Sequence, residues 1–254
     1  MAKTALITGA SSGLGAEFAR QLAATGADLV LVARDRDSLT TLAEQIMARY
    51  GVNCEVLAAD LLKPRHLARV VARLSDADRP IEMLVNNAGF GLPLSFETND
   101  IEDELRHLHL HVEVPMRLTH AALGPMLARG RGRIVNTASV AGFIPRSTYA
   151  ACKGWLISFS RWANVQYKDR GVTVTAVCPG FVHTNFHERM GLAPGHEGIP
   201  AAMWLEPTPT VAAALRDVAH GRAVSVPSLR YKVIVFLTRF LPAGLLAGAG
   251  ARGR

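Results

Sequence analysis

The sequence predicts an α/β fold: a doubly wound parallel sheet of seven strands, sandwiched between helices as three layers, in a single domain. Three observations predict it. Seven short, near-continuous apolar runs recur along the 254 residues, as expected of strands covered on both faces. Between them lie longer stretches with helical spacing, and strand–helix repetition gives right-handed crossovers and parallel pairing. The chain is 49% apolar and 19% charged, which is a globular composition, and its length suits one large core.

In chain order, "TALIT" (4–8) is the first strand and runs straight into "TGASSGLG", where a helix begins. "DLVLVA" (28–33) is the second, followed by a helix whose apolar positions are Leu39, Leu42, Ala43 and Ile46. "CEVLAA" (54–59) and "IEMLVNN" (81–87) are the third and fourth. After "ETND" the segment "IEDELRHLHLH" has capping residues and an acidic first turn, so it starts a long helix over 100–128. "RIVNTA" (133–138), "VTVTAV" (172–177) and "AVSV" (223–226) complete the sheet, with a helix opening at "YAACK" (149–153). From Pro179 to Pro207 the rhythm breaks, with four Gly and four Pro. A connection this long at a strand's carboxyl end reads as a lid, about 180–207.

The formal charge is +7, but six Arg or Lys and no acid lie between Arg222 and Arg254, so the excess sits in the tail. That tail has neither the aromatic interleaving of a single-strand binder nor zinc-finger ligands, which argues against nucleic acid. Cys54, Cys152 and Cys178 form no CxxC pair, so no disulfide framework or thiolate zinc site is expected. The first strand-like segment begins at Lys3, leaving no room before it for a signal peptide, and a cytoplasmic protein is expected. After 228 the segment "VIVFLTRFLPAGLLAG" is apolar on one helical face and basic on the other; Arg239 and Pro242 interrupt any transmembrane span. Such a tail, about 228–254, packs on the protein or a neighbouring subunit, or lies on an anionic membrane surface.

The glycines of Thr8 to Gly15 let the backbone turn sharply and approach a pyrophosphate at a helix N-terminus. At the end of the second strand an NAD site would carry an acid; this chain has Ala33 and then Arg34, which suits a 2'-phosphate and hence NADP(H) over NAD(H). Tyr149 and Lys153 lie one turn apart on one helix face, and a nearby ammonium favours phenolate over phenol.

Together with "NNAG" (86–89) and Ser139 in "NTASVAG", these features resemble the classical short-chain dehydrogenase/reductase family from Lys3 to about Thr184. The resemblance implies a Rossmann-type domain in which Ser139 orients the substrate carbonyl, Tyr149 exchanges the proton, and Lys153 binds the nicotinamide ribose. It implies a dinucleotide held by Gly9, Ser11, Ser12, Gly13, Leu14, Gly15, Arg34, Asp60, Leu61, Asn87, Ala88 and Gly89. In "PGFVHT", Pro179, Gly180, Val182 and Thr184 would hold its carboxamide end. The family would make the protein a homodimer or homotetramer. Ten positions separate Ser139 from Tyr149 where the family has twelve or thirteen, and Thr137 is the alternative hydroxyl.

The stretch "HLHLHVEVP" (107–115) alternates three histidines. On a helix His107 and His111 share a face and His109 does not, which speaks against a metal site. The family has an Asn at the position of His111, where it supports a water chain from the Lys; His111 is either a replacement relay or a packed core residue. "HTNFH" (183–187) lacks a third ligand and reads as substrate-facing or solvated. Phe90, Phe143, Ile144, Phe181, Phe186, Met190 and Trp204 suggest a hydrophobic carbonyl or alcohol substrate. The leading expectation is an NADPH-dependent ketone or aldehyde reductase. The rivals are a keto-acyl reductase of lipid assembly and an NADP(H)-binding regulatory protein without turnover.

Overall fold

The structure is a computed structural model that describes residues 4–93, 95–184, 186, 200–238, 240–242 and 244. Seven parallel strands form one sheet: β1 (Thr4–Thr8), β2 (Asp28–Ala33), β3 (Cys54–Ala58), β4 (Met83–Asn86), β5 (Gly132–Thr137), β6 (Val172–Val177) and β7 (Val224–Ser225). Their spatial order is β3-β2-β1-β4-β5-β6-β7. β1 pairs with β2 on one side and β4 on the other, so the chain winds in opposite directions from β1. In open parallel sheets ligands sit at the carboxyl ends of the strands where the winding reverses, here beside Thr8 and Asn86.

The strands are apolar along their length because helices cover both faces. One core layer joins Ile7, Leu29, Leu31 and Val85 to Phe18 of α1 (Gly13–Ala23), Leu39, Leu42 and Ile46 of α2 (Arg36–Tyr50), and Val211 of α7 (Pro207–Ala219). The other joins Leu6, Val30, Leu84 and Ile134 to Val70 of α3 (Pro64–Ser75) and to Leu118 and Met126 of α5 (Val114–Ala128). α6 (Thr148–Tyr167) follows β5, and α8 (Leu229–Leu237) follows β7.

The helix expected over 100–128 is wound in three parts: α4 (Ile101–Leu108), a π turn (His109–Glu113) and α5. The Val114 N–H donates to the His109 carbonyl, five residues back. A physical cause is in the sequence: Pro115 has no N–H to give the His111 carbonyl, so the α-helical pattern lapses there.

Buried polar groups tie the layers together beneath the site. The Asn86 side-chain amide donates to Asn136 Oδ1 at 2.9 Å, and the Asn136 amide donates to Ser160 Oγ at 2.9 Å. Ser160 in turn donates to the Leu156 carbonyl, while Asn164 Oδ1 accepts the Val174 N–H, which clamps α6 to β6. Asn136→Ala takes one buried partner each from the Asn86 amide and the Ser160 hydroxyl, at a cost of about 1–3 kcal/mol. Urea unfolding should therefore show a lower midpoint at unchanged slope; an unchanged midpoint would mean that this chain of amides carries no stability.

Candidate active site

The cradle at the end of β1 is built by glycines and by one threonine. Gly9 and Gly13 have φ of +66° and +56°, and a Cβ on Gly15 would lie 2.1 Å from the Gly9 carbonyl oxygen. Only a chain without side chains at these points turns this tightly into α1. Thr8 Oγ1 accepts the N–H groups of Asn87 (2.9 Å) and Ala88 (3.1 Å), and the Asn87 side-chain amide donates to the Thr8 and Gly9 carbonyls. The loops after β1 and β4 are thus one unit. A Cβ on Gly13 would touch Thr184 at 3.3 Å, so the segment after β6 closes the same cradle. Ser11 and Ser12 are half-buried in the loop, with Ser12 preceding α1. Leu14 and Leu61 pack into the two core layers, which leaves only their backbone for a ligand. Asp60 accepts the Leu62 N–H and donates its own N–H to His66 Nδ1.

Lys153 is buried on α6 and donates to the Thr137 carbonyl at 2.7 Å, with its ammonium 5.5 Å from the centre of the Tyr149 ring. Burial lowers its pKa from 10.5 to about 8. Thr137, the alternative to Ser139, has its hydroxyl within 3.4 Å of Asn87 Oδ1, so it serves the cradle and holds the lysine. Ser139 stands at the carboxyl end of β5 and accepts the Ala141 N–H at 3.1 Å, capping a 3₁₀ turn over Val140–Phe143. That turn takes up the short Ser139–Tyr149 connection. It is pressed onto α6 where two glycines meet: a Cβ on Gly154 would lie 3.1 Å from the Gly142 oxygen.

His107 and His111 share a face, as their spacing predicts, and their rings stack at 4.2 Å. Both abut Tyr149, at 5.9 and 5.7 Å between ring centres, whereas His109 bonds to Glu113 on another face. His111 Nε2 lies 2.8 Å from the Phe90 carbonyl, and a Cβ on Gly89 would meet the His111 ring at 2.6 Å. Burial, then the Lys153 charge, pushes the His107 pKa down to about 4 and that of His111 well below the usual imidazole value. Both are neutral at pH 7. His107 Nε2 and His111 Nδ1 are buried without a hydrogen-bond partner among the described residues.

Arg34 is exposed at the end of β2, and Asp35 beside it is occupied as the cap of α2, accepting the Asp37 and Ser38 N–H groups. Hydrogen bonds from Ser38 hold the Asp35 carboxyl below its ordinary range. After β6, Val182 bridges to Leu205, and a Cβ on Gly180 would overlap the Tyr231 ring. Pro179 accepts the Val140 N–H and joins this segment to the Ser139 turn. Of the expected substrate-facing apolars, Phe186 lies 6.0 Å from Tyr149 and Phe90 packs on both histidines. Phe143 and Phe181 instead pack against a core cluster with Leu156 and Tyr231. Trp204 stacks on His183. Ile144 lines an open groove of about 540 Å³ along 142–147 and the start of α6, whose walls exclude Tyr149 and Lys153. His187, Met190 and half of the expected lid (185 and 187–199) lie outside the described residues.

Sequence reasoning missed Thr8, the second histidine of the stack as a neighbour of Tyr149, and Tyr231. Thr8 had a signal, since it sits at the turn from β1 into the glycines; Tyr231, fifty positions from its partner Phe181, had none.

The chain matches the short chain dehydrogenase family over residues 3–193 and belongs to it. It is 35% identical to the oxidoreductase UcpA of Escherichia coli K12 over 190 residues, 73% of this chain and 72% of that one. Its fold superposes with TM-score 0.85 on a short-chain dehydrogenase from Sphingobium yanoikuyae in complex with NADPH, at 35% identity over 93% of this chain and 94% of the other. A bulky-bulky ketone specific alcohol dehydrogenase from Comamonas testosteroni gives TM-score 0.80 at 32% identity, covering 94% and 92%. The protein is thus an oxidoreductase of this family.

Because folding lowers the His107 pKa, the unfolded chain takes up the proton first as pH falls. The stability due to the neutral ring is present above pH 6.5 and is lost as pH drops towards 4. Between these limits the wild type should lose about 3 kcal/mol more unfolding free energy than His107→Phe, by urea titration at each pH. Parallel pH curves would contradict the buried neutral imidazole.

Proposed function

We propose that the protein is an NADPH-dependent reductase of hydrophobic ketones or aldehydes, working as an alcohol dehydrogenase in reverse. The observation that carries this is the buried Lys153 ammonium beside Tyr149, held by the Thr137 carbonyl at the mouth of the glycine cradle. The cradle fits a dinucleotide: its close approaches at Gly9, Gly13 and Gly15 leave backbone N–H groups and a helix N-terminus for a pyrophosphate. Gly9, Ser11, Ser12, Gly13, Leu14 and Gly15 would hold the phosphates, and Asp60, Leu61, Asn87, Ala88 and Gly89 the adenosine half. Pro179, Gly180, Val182 and Thr184 would hold the carboxamide. When bound, the dinucleotide supplies or accepts the hydride.

The remaining work falls to the chain. Ser139 orients the carbonyl, and Tyr149 gives its proton to the carbonyl oxygen. The Lys153 charge makes the phenol a readier donor, since it stabilises the phenolate left behind. Lys153 also holds the nicotinamide ribose. His111 takes the place of the family Asn as relay: its Nε2 faces both the N–H and the carbonyl of Phe90, and Nδ1, without a partner among the described residues, is the atom that would hold a water on the path to Lys153. Arg34 pairs with the 2'-phosphate of NADPH, while the Asp35 carboxylate is engaged by the first N–H groups of α2. Phe186 and Trp204 favour an apolar substrate. We place the protein in the cytoplasm as a homodimer or homotetramer.

A panel of aliphatic, aromatic and acyl-thioester ketones, followed by NADPH absorbance, tests the reading. Wild type should turn over at least one apolar ketone, with kcat/KM for NADPH above that for NADH, and Tyr149→Phe should lose at least a hundredfold in kcat. Arg34→Ala should erase the cofactor preference. Activity retained in Tyr149→Phe, or a preference for NADH, would overturn the respective assignment, and activity confined to acyl thioesters would make it a keto-acyl reductase.

A further inference from the structure

α8 turns an apolar stripe outward. At roughly 100° per residue, Leu229, Val233, Phe236 and Leu237 fall within one arc, and the buried Tyr231 and Val235 lie on the opposite side. Leu229 is 78% exposed and Phe236 55%; the stripe continues into Phe240, 71% exposed, whose ring meets Phe236 edge-on at 5.2 Å. Arg230 and Lys232, both exposed, fall on the two edges of this arc. Basic residues flanking an exposed apolar stripe match the layering of a membrane interface, where the stripe enters the acyl boundary and the cations meet anionic headgroups.

We propose that this face of α8 docks the protein on an anionic lipid surface. The charge pattern favours lipid over a second copy. From Arg222 onward the chain has six Arg or Lys and no acid, and a symmetric contact through α8 would set Arg230 and Lys232 against their own copies. No helix among the described residues is long and apolar enough to cross a membrane, so the contact is peripheral. Docking also reaches the site. The Tyr231 hydroxyl on the inner side of α8 accepts the Phe181 N–H and donates to the Met203 carbonyl at 2.7 Å. The helix is thereby fastened to the segments on both sides of the Val182–Leu205 bridge, so a docked α8 holds these segments, which follow β6 and precede α7, near the lipid. This rests on the reductase reading only for its use, delivery of apolar substrates from the bilayer; the docking itself does not.

The test is co-sedimentation of the full chain with vesicles of phosphatidylcholine alone and with phosphatidylglycerol added. Binding should require the anionic lipid and fall steeply in 1 M salt. Phe236→Asp with Phe240→Asp should abolish it, while Arg230→Gln and Lys232→Gln should each weaken it about fivefold. Turnover of a water-soluble ketone, or the circular dichroism melt if none is found, reports that the variants are folded and should not change. Equal binding to neutral vesicles, no binding at all, or a fall in oligomer mass in the Asp variant without vesicle binding would overturn the proposal; the last would make the stripe a subunit contact.

Discussion

The site depends on keeping one positive charge inside the protein. Lys153 is buried, no carboxylate among the described residues pairs with it, and its ammonium is satisfied in part by the Thr137 carbonyl. Burial resists that charge and lowers its pKa to about 8, close to the working range. A carboxylate nearby would make the lysine more comfortable and would also cancel its field at Tyr149. The structure accepts the cost and removes competing charge: both neighbouring imidazoles are neutral, and they are neutral partly because Lys153 is there.

The rest of the architecture holds that charge in place. The amide chain through Asn86, Asn136 and Ser160 and the Asn164–Val174 bond fix α6 on the sheet. The Gly142–Gly154 approach sets the Ser139 turn against it. Thr8 locks the loops after β1 and β4, so that the cradle and the Lys–Tyr pair are parts of one rigid end of the sheet. The π turn gives the histidine stack its position: by interrupting the helix ahead of Pro115 it carries His111 beneath Gly89 and against Tyr149.

The fold was legible because all seven apolar runs are real strands, three of them with the predicted bounds, and both periods in the sequence point the same way. The cradle was legible because backbone shape at Gly9, Gly13 and Gly15 leaves a mark in residue type. Less legible were features whose cause is distant in the chain. The π turn follows from Pro115 lacking an N–H, yet periodicity reads through it. Phe143 and Phe181 lie in loops beside the site, and both pack on a cluster that includes Tyr231, which arrives from the far end of the chain.

The most direct test of the account is the ionisation of Tyr149 itself, followed by NMR of the protein carrying ring-labelled tyrosine, in wild type and in Lys153→Met. The account predicts that the Tyr149 phenol gives up its proton at a distinctly lower pH in wild type and that removing the ammonium moves this titration upward. Superimposable titrations in the two proteins would contradict it.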